Sequence, residues 1–259
     1  MGESGYDREY FERFHQSAIY KGVRSSADAV VPLIVQLLQP RSVVDVGCGT
    51  GTWLKVFEEH GVSDFCGLDG EYVDETLEIP ADRFVAADLR LGVKLDRRFD
   101  LAVSLEVAEH LPLEAAAGFV RSLTQLAPVV MFSAAIPHQG GIGHVNEQWP
   151  EYWQELFGQF GFLAVDCIRP KVWENPDVRV WYAQNTLLFV EQAHLETQPE
   201  LKREYECLRE RPLSIVHPTL FHRGLRPWSH LERLQQSKDR GLVTDAEFEA
   251  KKAEILGRL

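Results

Sequence analysis

Apolar positions in this 259-residue chain fall into short runs separated by amphipathic stretches. Residues 42–46, Ser-Val-Val-Asp-Val, are β-branched and apolar on both faces, which suits a strand covered from both sides. Similar runs recur at 64–69, 84–89, 99–106, 128–136, 162–168 and 182–190. Between them the pattern shifts to helical period, at about 52–60, at 112–126 and at 149–160, where Gly161 ends the stretch. Upstream, 28–38 reads as a helix stopped by Pro40. Residues 6–20 read as an aromatic-rich helix, either a packed amphipathic helix or a lid over a ligand. Strands alternating with helices and closing in a hairpin predict an α/β protein with a doubly wound, seven-stranded sheet.

After residue 192 the pattern weakens. Residues 192–211 are polar and charged, a helix or a linker, and Pro212, Pro218 and Pro227 punctuate what reads as an irregular connector. Residues 231–256 read as a helical hairpin. Gly241 ends its first helix, and Thr244 caps the second with Glu247 three positions on, a capping box. The expected organisation is a main domain over 1–195, a linker over 196–228 and a hairpin over 229–259. A two-helix unit this small buries little surface alone and needs a partner.

The stretch after the first strand carries the chemistry. Gly47, Gly49 and Gly51 allow positive φ and close approach of a ligand to the backbone, and the helix that follows offers free N–H groups. The glycines run G-x-G-x-G, not the G-x-G-x-x-G of dinucleotide folds, and no Gly-Lys-Ser/Thr follows, which argues against a phosphate-binding loop. Asp45 precedes the first glycine by two positions. With this acid, residues 43–51 match the D-x-G-x-G-x-G motif without a gap, and the chain resembles the class I S-adenosylmethionine (SAM) dependent methyltransferases. The resemblance covers about 25–192 and implies a Rossmann-like sheet of order 3-2-1-4-5-7-6 with the seventh strand antiparallel. It implies a SAM site made by Asp45, Gly47, Cys48, Gly49, Gly51, Asp69, Gly70, Asp88, Leu89, Ser104 and Leu105. Asp69, 18 positions past Gly51 at the end of the second strand, suits the ribose hydroxyls, and the family pattern gives Asp88 the adenine amino group. Either acid alone reads as a strand-end or turn residue; their order after the glycine turn gives the pattern its force.

Ligands of doubly wound sheets sit at the carboxyl ends of the strands. Glu106, Glu109 and His110 form E-x-x-E-H there, a spacing that places all three on one face of a helix. With His144 from the next loop they make a four-residue candidate site for Mg²⁺, Mn²⁺ or Zn²⁺. The run resembles the metal site of small-RNA 3′-end 2′-O-methyltransferases, and a related run occurs in ubiquinone-pathway O-methyltransferases. Many metal-free methyltransferases carry a similar Glu-His pair as structure. Without a metal, His110, His138 and His144, beside Glu109, are catalytic acid–base candidates. Tyr152, Trp153, Trp173, Trp181 and Tyr182 flank this edge, as walls for a sugar or flat ring or, for the helical Tyr152 and Trp153, as packing.

Composition narrows the classes. Hydrophobic residues are 45%, enough for a packed core, and there is no apolar run of 18 residues and no signal-peptide pattern. Cys48, Cys66, Cys167 and Cys207 show no C-x-x-C spacing, so reduced thiols in a cytoplasmic protein are expected. A formal charge of −12 argues against a long nucleic-acid surface. Residues 241–251 resemble the SHOCT module of bacterial proteins, which implies self-association or partner docking. The run 141–150 resembles methyltransferases of sugar and secondary-metabolite pathways. The expectation is a bacterial SAM-dependent enzyme methylating a hydroxyl of a small molecule in biosynthesis. Its rivals are a metal-dependent RNA 2′-O-methyltransferase and a SAM-binding regulatory or scaffold protein working through its tail.

Overall fold

Strand β1 (Ser42–Val46) is buried along its whole length, with Val43, Val44 and Val46 at 0% exposure, and it lies in the middle of the sheet. The computed structural model describes residues 18–239 and 242–257. The aromatic stretch ahead of residue 18 and the expected stop at Gly241 lie outside the described residues. β1 pairs in parallel with β2 (Asp64–Asp69) on one side and with β4 (Leu101–Leu105) on the other. β3 (Phe84–Ala86) extends the β2 edge, and β5 (Val129–Ser133) continues from β4. β7 (Leu187–Glu191) runs antiparallel between β5 and β6 (Phe162–Val165). The order is β3-β2-β1-β4-β5-β7-β6, as expected. The third strand is shorter than its apolar run, because Asp88 accepts the Arg90 N–H and turns the chain into a 3₁₀ turn at Leu89–Leu91.

Two helical layers complete the core. α1 (Ala18–Leu38) and α2 (Thr52–Glu59) cover one face through Ala27, Val30, Ile34, Leu54 and Phe57. α1 starts well before residue 28 and contains Pro32. α3 (Ala116–Leu126) and α4 (Pro150–Gly158) cover the other face through Phe119, Leu123, Trp153 and Phe157. Phe157 stacks on Phe189 of β7 at 3.9 Å between ring centroids. Burial of such side chains contributes about 1.5–3 kcal/mol each.

The chain after β7 is not the linker expected for 196–228. Pro199–Leu208 is a helix, and its Leu201, 1% exposed, joins the core shared with α1. Arg169, also 1% exposed, pairs with Asp166 at 2.6 Å and donates to the carbonyls of Gln184 (3.2 Å) and Leu213 (2.8 Å). The connector is thereby stapled to the sheet, and Ser214 N–H adds a bond to Glu151. From Pro218, at the tolerated first helical position, a helix runs to Asp239 straight through Pro227. The last helix, Asp245–Leu256, starts on the predicted Thr244–Glu247 capping box, and Phe248 lies between Lys238 and Lys252. Among the described residues no helix is long and apolar enough to cross a membrane. All four cysteines are free.

Candidate active site

The glycine turn leaves β1 with Gly47, Gly49 and Gly51 all at positive φ (86°, 52° and 85°). Space also matters at Gly47, where a Cβ would stand 2.4 Å from the Val107 side chain. Gly47 N–H and Cys48 N–H both donate to Leu68 O, and Gly49 N–H donates to Asp69 Oδ2 at 2.7 Å. The other oxygen of Asp69 accepts from Gly70 N–H and from the Tyr72 hydroxyl, each at 2.7 Å. Burial pushes the Asp69 carboxyl above its usual range, and those three donors pull it back. Asp45 is pushed well above its usual range by burial and then by the charge of Asp69. The Cys48 thiol beside them is also raised by burial.

At the start of α2 stands a carboxylate with no motif of its own in the sequence. Glu78 accepts from Thr50 Oγ1 (3.0 Å), from Thr52 Oγ1 and from Tyr20 of α1 (2.9 Å). A helix N-terminus preceded by glycines attracts phosphate. Here the chain's own Glu78 side chain lies beside that terminus, bonded to the hydroxyls of Thr50 and Thr52.

The remaining predicted cofactor residues are less open. Asp88 accepts the Arg90 backbone N–H and pairs with its guanidinium at 2.6 Å, so the expected adenine role needs Arg90 to yield or share. Leu89 and Leu105 are buried. Ser104 is at 0% exposure, with a hydroxyl that finds no partner among the described residues, so its side chain is not presented to an open edge.

At the end of β4 the expected helix is absent. Glu106 takes φ +56°, a left-handed conformation that costs a non-glycine residue about 1–3 kcal/mol, and Ala108–His110 is a 3₁₀ turn. Glu106 Oε1 accepts from Asn185 Nδ2 (3.0 Å) and Oε2 from Gln139 Nε2 (2.9 Å). Its backbone N–H donates to Ser133. Glu109 behaves differently. It is at 0% exposure, and neither oxygen receives a well-formed hydrogen bond among the described residues. Burial first, and then the neighbouring charge of Glu106, push its carboxyl well above the usual range.

The 137–149 loop docks onto this turn: Val145 and Asn146 N–H both donate to Glu109 O, at 2.8 and 3.0 Å. It brings the His144 ring to 4.9 Å from that of His110, edge to face. His110 Nδ1 lies 3.3 Å from Gly143 O, and burial together with His144 lowers its pKa to about 4. His144 Nδ1 lies 2.8 Å from Glu147 Oε1, and Gly141 leaves the space its ring takes. The same Glu147 carboxylate accepts His138 N–H and Gly140 N–H, each at 2.8 Å. Glu109, His110 and His144 each place a ligand atom within 4.8 Å of the others.

Two expectations are corrected here. Glu106 stands outside this group, because Asn185 and Gln139 take its oxygens, so the four-residue metal set becomes three. His138 contributes a backbone N–H while its residue is exposed, and the described contacts do not join its ring to the histidine pair. Glu147, Gln139 and Asn185 were not singled out from sequence. Among the aromatic residues, Trp153 is core, 2% exposed, and Tyr182 packs edge-on against Trp53 at 5.2 Å.

A family model described as a methyltransferase domain matches residues 21–168, more than half of the chain, and the chain belongs to that family. The chain is a methyltransferase. Solved structures share the fold. The sugar N-methyltransferase KedS8 from a Streptoalloteichus species is 16% identical, with a TM-score of 0.54 over 74% of this chain and 95% of that one. DesVI from Streptomyces venezuelae is 16% identical, with a TM-score of 0.52 over 71% and 98%. A candidate O-methyltransferase from Nostoc punctiforme is 13% identical, with a TM-score of 0.51 over 70% and 59%. No curated protein matches the sequence.

Proposed function

We propose that the chain transfers a methyl group from SAM to a hydroxyl of a small molecule, a sugar or another natural product. The observation that carries this reading is the His144–Glu147 pair, held at 2.8 Å on the loop after β5, on the carboxyl edge of the sheet. SAM supplies a methyl group activated on a positively charged sulfur. Asp69 takes the ribose hydroxyls, and the 47–51 turn lets the donor approach the backbone. His144, its Nδ1–H directed to Glu147, accepts the acceptor's proton at Nε2 as the oxygen–methyl bond forms and the methyl–sulfur bond breaks. Glu147 stabilises the imidazolium that results. A neutral amine attacks without such a base and loses its proton afterwards. KedS8, by its name, methylates a sugar nitrogen; the base pair favours oxygen here.

A second reading has its own observation. Glu109 is buried at 0% exposure, and it converges with two imidazoles. The Nδ1 atoms of both imidazoles are turned to oxygen acceptors, the outer support that metal-binding histidines usually have. These three residues fit a divalent cation, which when bound would supply Lewis-acid charge beside the acceptor. The net charge of −12 favours a small acceptor over RNA. Four free thiols support a cytoplasmic location, and the capped terminal hairpin supports the SHOCT-like reading as a self-association module.

The test is methyl-labelled SAM with a panel of glycosides, phenols and amino sugars. Label should pass to a hydroxyl acceptor, and His144→Ala should lower the rate by about 100-fold or more. Label confined to amines, at a rate indifferent to His144, would overturn the reading.

A further inference from the structure

Asp69 is already heavily engaged. A carboxylate offers about four acceptor positions. Three are filled: Gly49 N–H on Oδ2, and Gly70 N–H and the Tyr72 hydroxyl on Oδ1, each at 2.7 Å. The two ribose hydroxyls of SAM bring two donors to the one position left. Two of the present donors are backbone amides, fixed by the glycine turn and by the end of β2. The third sits on a side chain at the rim: Tyr72 is 38% exposed, while its neighbour Val73 is buried at 0% and anchors the turn. The Tyr72 ring also fills the place of a side chain at position 70. A Cβ on Gly70 would stand 2.1 Å from Tyr72 Cε1, although Gly70 has φ −65° and ψ 158°, open to any residue. Space for the tyrosine, not backbone conformation, is what requires glycine there.

We infer that Tyr72 is a cofactor-site residue that holds, in the free protein, the Asp69 position of one ribose hydroxyl and yields it when SAM enters. The inference rests on the SAM reading of Asp69. The tyrosine fills a third acceptor position of a nearly buried carboxylate until the ribose replaces it. Burial, and then Asp69, raise the phenol's pKa above its ordinary value. The competition weakens binding of SAM and of its product alike, and so assists product departure.

Calorimetry with S-adenosylhomocysteine and its 2′- and 3′-deoxy analogues tests this. Tyr72→Phe keeps the ring and removes the competing donor, so it should bind S-adenosylhomocysteine about 3- to 10-fold tighter. Loss of one ribose hydroxyl should cost the Tyr72→Phe protein more affinity than it costs the wild type, a coupling that a merely structural tyrosine would not show. Gly70→Ala, whose Cβ displaces the ring, should shift affinity the same way and serves as a second variant. Unchanged or weaker binding by Tyr72→Phe, with equal penalties for the deoxy analogues, would overturn the competition alone. A wild-type protein that binds no S-adenosylhomocysteine would overturn the cofactor reading beneath it.

Discussion

Glu147 Oε1 lies 2.8 Å from His144 Nδ1, and the same carboxylate gathers the backbone N–H groups of His138 and Gly140. One side chain therefore holds both the His144 ring and the course of its loop. Glu147→Gln keeps a similar shape but can present an amide N–H to Nδ1. That would move the imidazole proton to Nε2 and remove the base. Turnover should fall about 10²- to 10⁴-fold. Full turnover in Glu147→Gln would exclude His144 as the base.

Asp45 and Asp69 lie close enough for the charge of one to raise the other's pKa, and burial raises Asp45 further. A carboxyl whose folded pKa is raised binds more protons folded than unfolded. Stability from the protonated form is therefore present at low pH and lost as pH rises through the folded pKa. Asp45→Asn should melt above the wild type at pH 7–8, each kcal/mol being worth roughly 2–4 °C in a chain this size. The difference should vanish toward pH 4. A melting curve lowered at neutral pH would mean that the ionised Asp45 is compensated within the fold.

Arg169 makes the most buried ion pair described, and its reach to Leu213 O ties the connector down. Removing one partner strands the other charge, so Arg169→Ala should lose about 3–5 kcal/mol in a denaturant titration. For the same reason a chain ending at Arg211 should melt well below one ending at Asp239, because the cut removes Leu213, Ser214 and the buried Leu220. Equal melting of the two truncations would show that the connector adds nothing.

The three-residue cluster is tested by chelation. If Glu109, His110 and His144 hold a divalent ion, EDTA should abolish methyl transfer, and Mg²⁺ or Mn²⁺ should restore it at nearly constant S-adenosylhomocysteine affinity. Full activity in EDTA, lost on His144→Ala, would leave proton transfer as the role of the histidine pair.

What was legible in the sequence was local. Val43-Val-Asp-Val46 followed by three alternating glycines specifies a buried strand and a left-handed turn within ten residues. The Thr244–Glu247 box was readable for the same reason. Glu106 was misplaced because its conformation answers to Asn185, 79 positions away, and to Gln139, 33 away. The E-x-x-E-H spacing assumes a helix, whereas the chain takes a left-handed residue and a 3₁₀ turn there, and Gln139 and Asn185 take the oxygens of Glu106. Glu147 leaves one signal, its place three residues after His144. Leu201, Tyr205 and Leu208 left another: their spacing marks one helical face inside a segment whose charge suggested a linker.

In the proposed function SAM seats its ribose on Asp69 beside the glycine turn. Calorimetry of S-adenosylhomocysteine with the wild type and Asp69→Ala tests it most directly. The wild type should bind in the micromolar range, about −8 kcal/mol, and the variant should lose about 1–3 kcal/mol as the ribose hydroxyls go unpaired. Equal affinity in the two proteins, or binding of NAD in place of S-adenosylhomocysteine, would contradict the account.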